Sequence, residues 1–158
     1  MSTLAGSGSP GSTNATGVAA SFNFPEGIAV DASGNVYVGD YNNNMIRKIT
    51  PGGAVTTLAG STTPGSTNAT GTSASFWNPF GVVVDNCGNV YVADSSNQLI
   101  RKITSAGVVT TLAGSGAIGS TNGTGTFASF QYPDGVAVTP AGVVYVADTT
   151  NQLIRKIQ

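Results

Sequence analysis

The chain has 158 residues, enough for one domain that buries about 70% of the surface its unfolded form exposes. Only 8% of the residues are charged, the net charge is -1, and the six basic residues form three pairs, Arg47-Lys48, Arg101-Lys102 and Arg155-Lys156. Side chains alternate across a strand, so each pair sends its charges to opposite faces and no dense basic patch forms from one blade, which argues against nucleic acid binding through phosphate neutralisation.

The first element is the short stretch Met1 to Ala5, whose TLAG recurs at Thr57 and Thr111, a spacing of 54 residues. A Gly, Ser, Thr and Asn-rich stretch follows and reads as a long loop. Next come four short apolar runs: GIAVD at 27–31, NVYVG at 35–39, MIRKI at 45–49 and AVTTL at 54–58. Their β-branched content and the turn residues between them, Gly34, Asn42 to Asn44 and Pro51 to Gly53, predict four strands joined by tight turns. The whole unit then repeats, with Phe22, Phe76 and Phe130, and Pro25, Pro79 and Pro133, in register. No segment has useful helical periodicity. Four strands and a long loop per repeat make a propeller blade.

The fold class is therefore all-β, with three blades of four antiparallel strands in a single domain, 1–158. Blade 1 spans about residues 22–58, blade 2 about 76–112 and blade 3 about 130–158. The third repeat lacks the counterpart of Pro51 to Ala54 and of the strand after it. This predicts that the strand 1–5, through Thr3 and Leu4, completes blade 3 of another copy. Propellers typically have 4–8 blades. Three blades do not close a ring, so the expected partner is the chain itself, as a two-fold dimer of six blades or as a head-to-tail filament. An excised part of a longer propeller is the alternative.

The stretch PEGIAVDASGNVYVGDYNNNMIRKI resembles the NHL-repeat family of β-propellers. The pattern Pro-x-Gly-apolar, Asp, Gly-Asn, Tyr-Val-x-Asp, Asn and Ile-Arg-Lys-Ile is met in repeats one and two; repeat three departs at Thr139 and Val143. The resemblance implies a propeller of about six blades. It further implies an interaction platform, as most such proteins are, while a minority are lyases or hydrolases with metal in the central channel.

Candidate chemistry is sparse. Asp40, Asp94 and Asp148 each precede Arg47, Arg101 or Arg155 by seven residues across a strand-turn-strand unit, the placement of a structural ion pair. Asp31 and Asp85 follow the innermost strand and would approach a channel, but Thr139 breaks the ring and Asp-x-x-Gly is turn chemistry. The chain has no His, which removes Ser-His and Cys-His catalysis and the commonest transition-metal ligand. The reading is of no enzyme, no cofactor and no metal; a lyase or lactonase-like enzyme with a channel metal is the rival. Cys87 stands alone and reads as a small apolar filler near a turn.

Asn14, Asn68 and Asn122 head three sequons on the long loops, candidate glycosylation sites that point to an extracellular or cell-surface protein. No apolar run approaches the ~20 residues of a membrane span, and the polar start is no signal peptide. Positions where the copies disagree are the candidate binding rim for protein, peptide or glycan: Phe24, Glu26, Tyr41, Trp77, Asn78, Phe80, Tyr132 and Asp134. Asn23, Gln131, Ser95 and Thr149 differ in the same way. Aromatic packing between adjacent blades is the competing use of the same rings.

Overall fold

The computed structural model describes residues 1–158 and contains eleven strands and no α-helix. Strands β1 (Pro25–Val30), β2 (Val36–Asp40), β3 (Met45–Ile49) and β4 (Val55–Gly60) form the first antiparallel sheet. The second consists of β5 (Pro79–Val84), β6 (Val90–Asp94), β7 (Leu99–Ile103) and β8 (Val109–Ala113). In the third, β9 (Pro133–Val138), β10 (Val144–Asp148) and β11 (Leu153–Ile157) pair, and β11 has a free edge. Residues 1–5 carry no strand pairing within the chain. The long loops hold single 3₁₀ turns, at Gly17–Ala19, Gly71–Ser73 and Gly125–Phe127, and isolated bridges such as Thr16 to Ala54 and Thr70 to Val108.

Turn chemistry fixes the register. Between β1 and β2 the Asp31 carbonyl accepts the Gly34 N–H, 2.9 Å, with Gly34 at φ 81°. A glycine takes that left-handed conformation without the steric cost of a Cβ. Val30 then lies opposite Val36 and Ile28 opposite Val38 in the β1–β2 ladder.

Alternation along β2 and β3 gives each blade two faces. Tyr37 and Ile46 meet Phe76, Val82, Val90 and Val92 in one buried cluster between blades 1 and 2. Tyr91 and Ile100 meet Phe130, Val144 and Val146 between blades 2 and 3. The two outermost faces lack this cover. Ile154 is 78% exposed where its counterpart Ile46 is 0%, and Ile28 is 70% exposed where Val82 is 7%. Near the innermost strands the backbones approach so closely that a Cβ on Gly27 would collide with the Phe80 carbonyl, and one on Gly81 with that of Asp134.

Candidate functional site

Each blade is tied to its long loop by one buried arginine. Arg101 Nη1 donates to Asp94 Oδ2, 2.7 Å, and to the Ser75 carbonyl, while Nη2 donates to the Thr67 carbonyl and to Asn68 Oδ1, 2.8 Å. The guanidinium lies over the Phe76 ring, 5.1 Å from its centre. Arg47 with Asp40, Asn14 and Phe22, and Arg155 with Asp148, Asn122 and Phe130, repeat the arrangement. All three ion pairs lie on one hairpin, β2–β3 and its equivalents, rather than across blades. Burial pushes the Asp94 carboxyl up to about 6, against the Trp77 N–H, Asn97 and Arg101 that hold it down.

Asp31 and Asp85 build turns. Asp31 accepts the Ser33 and Asn35 N–H groups, the Asn35 amide and the Tyr37 hydroxyl, the last at 3.0 Å. The Asn35 amide above all holds this carboxyl below its usual range. Burial is the largest single influence on Asp85 and works to raise it, but the bonds from Asn89, Cys87 and Tyr91 together outweigh it and leave this carboxyl lowered too. Tyr37 is pushed up to about 12, first by burial and then by Asp31. Both aspartates border a cavity of ≈ 400 Å³, and no three His, Cys, Asp or Glu side chains gather in a metal-binding group. Cys87 is not a buried filler but an exposed residue at the turn tip, where its N–H donates to Asp85.

The positions at which the copies differ divide into two sets. Tyr41 and Phe80 pack edge to face between blades 1 and 2, 5.9 Å between ring centres. Ser95 Oγ donates to Asp134 Oδ1 between blades 2 and 3, 3.0 Å. The Asn78 N–H donates to Asn44 Oδ1, 2.9 Å, and the Tyr132 N–H to Gln98 Oε1, 2.6 Å. These residues serve the blade contacts. Phe24, Glu26, Trp77 and the Tyr132 ring remain exposed. Trp77, with blades on both sides, is still 49% exposed.

The three sequon asparagines are exposed, and each gives its side-chain oxygen to the arginine of its blade. Thr3 and Leu4 lie beside blade 1: the Leu4 carbonyl is 2.9 Å from a Cβ built on Gly53, much as the Leu58 carbonyl stands 3.6 Å from one on Gly107. Sequence reasoning missed Phe127, 83% exposed on the third long loop. Its signal was the same disagreement, since Ala19 and Ser73 hold the matching positions.

Three copies of the NHL repeat match the chain, at residues 22–49, 76–103 and 130–157. The chain belongs to the NHL-repeat family. Over 94 residues, 59% of its length, it is 38% identical to the protein Suppressor of Quenching 1, chloroplastic, of Arabidopsis thaliana, and so spans only 9% of that relative. Among solved structures, an auxiliary nutrient binding protein from Bacteroides thetaiotaomicron superposes with a TM-score of 0.75 at 23% identity, over 83% of this chain and 36% of that one. A gluconolactonase from Xanthomonas campestris superposes with a TM-score of 0.57 at 15% identity, over 79% and 35%. NHL blades thus sit in the neighbourhood of both binding proteins and enzymes, and these two likenesses concern the fold.

Proposed function

We propose that the chain is a non-catalytic scaffold whose blade-entry loops hold a protein, peptide or glycan. The observation that carries this reading is how the polar groups are used. Of seven carboxylates, six are bound into turns, ion pairs or a blade contact, and only Glu26 lacks a protein partner. General acid-base work needs a carboxyl free to meet a substrate. What the loops offer instead is aromatic surface, Trp77 foremost, with Tyr132 on the next blade. Such rings stack on sugars and anchor peptides. In this reading the scaffold works outside the cell, and the exposure of the three sequon asparagines supports that location.

The test is a glycan and peptide array probed with the purified chain and with Trp77→Ala. Binding that falls about tenfold or more in a variant with unchanged thermal unfolding supports the rim. Lactone hydrolysis or lyase turnover that a chelator abolishes would replace it with the enzyme reading.

A further inference from the structure

The two blade contacts inside the chain follow a pairing rule written in the positions that differ between repeats. At the first contact Tyr41 faces Phe80, aromatic to aromatic, and Asn44 accepts from the Asn78 N–H. At the second Ser95 faces Asp134, hydroxyl to carboxylate, and Gln98 accepts from the N–H of Tyr132, an aromatic residue at φ 49°. Beyond the third blade the same positions are Thr149 and Gln152; ahead of the first they are Glu26 and Phe24, with Phe24 at φ 52°. A hydroxyl again matches a carboxylate. A glutamine again matches a left-handed aromatic.

All four of these residues are exposed, whereas Ser95, Gln98 and Asn44 are buried. Gln152 bonds only the Thr149 carbonyl through its amide nitrogen, 3.0 Å, which leaves Oε1 to solvent. The apolar faces match as well: Ile28 and Val30 stand open on blade 1, Tyr145, Leu153 and Ile154 on blade 3. Leu4 lies against Gly53 as Leu58 of the outer strand β4 lies against Gly107, the place of an outer strand in a preceding blade. A cavity of ≈ 530 Å³, lined by Phe130, Leu153 and Arg155, runs along β11, where a strand paired with that edge would lie.

We infer that a second copy of this chain covers both faces, blade 3 of each docking on blade 1 of the other. Thr149 then donates to Glu26, Gln152 accepts from the Phe24 N–H, and Thr3 and Leu4 of one copy pair with β11 of its partner. Two copies are the number that brings three-bladed chains into the range of 4–8 blades at which propellers close.

Native mass spectrometry and dilution light scattering on the full chain, Glu26→Lys, Thr149→Asp and the double variant test it, with circular dichroism as the folding control. The wild type is expected as a dimer. Each single change weakens it about tenfold or more, the first by placing a lysine against a hydroxyl site shaped for a carboxylate, the second by opposing two carboxylates. The double variant, which sets a lysine opposite an aspartate, recovers most of the loss. A monomer or a polymer for the wild type, single variants as tight as the wild type, or a double variant no tighter than the singles would overturn the inference. If Glu26→Lys unfolds, Thr149→Asp at the opposite face decides the matter alone.

Discussion

At the residue scale the arginines dominate. Arg101 is fully buried, meets one carboxylate and three further oxygens, and rests on Phe76, so its removal leaves Asp94 buried without its counter-charge. Arg101→Ala is expected to cost about 3–5 kcal/mol of unfolding free energy, measured by denaturant titration. Lysine at this place lacks the planar fork that reaches Asp94 and Asn68 together, so Arg101→Lys recovers little of the loss. A second residue-scale effect is alkaline. Tyr37 is raised from 10.0 to about 12 in the folded chain. The unfolded chain therefore gives up this proton first, and Tyr37 contributes stability that is fully present below pH 10.0 and lost as pH rises toward about 12. Urea midpoints from pH 9 to 12 are expected to fall more steeply in the wild type than in Tyr37→Phe.

At the element scale the turn between the first two strands of each blade is the instructive part. In blades 1 and 2 an aspartate closes it with four bonds, but in blade 3 Thr139 accepts only the Val143 N–H through its hydroxyl, 3.2 Å. Thr139→Asp with Val143→Asn restores the set and is expected to add about 1 kcal/mol, seen as a higher Tm that reverts as the new carboxylate is protonated. The strands and these turns were legible in the sequence, because β-branched alternation, Asp and Gly act within a few residues of one another. The blade contacts were not. Tyr41 and Phe80, or Ser95 and Asp134, meet only once the blades stack, so positions that differ between copies read as a free rim when several of them are partners. The repeated Asn14, Asn68 and Asn122 likewise read as glycan acceptors; their oxygens also hold an arginine far along the chain.

At the scale of the whole molecule the three blades expose two unequal surfaces. One is the pair of outer faces, whose apolar side chains match buried ones inside the chain; burying a residue such as Ile154 or Ile28 is worth roughly 1.5–3 kcal/mol. The other is the loop surface around Trp77, which stays open between two blades. The two make separable predictions: Trp77→Ala reduces ligand binding and leaves assembly untouched, whereas Thr149→Asp reduces assembly. The NHL blades alone do not tell these roles apart, since similar blades serve binding proteins and enzymes. The most direct single measurement is the mass of the chain in solution by light scattering at micromolar concentration. Blades that stack by matched edges predict a particle of twice the chain mass of 15.7 kDa, and a stable folded particle of 15.7 kDa would contradict them.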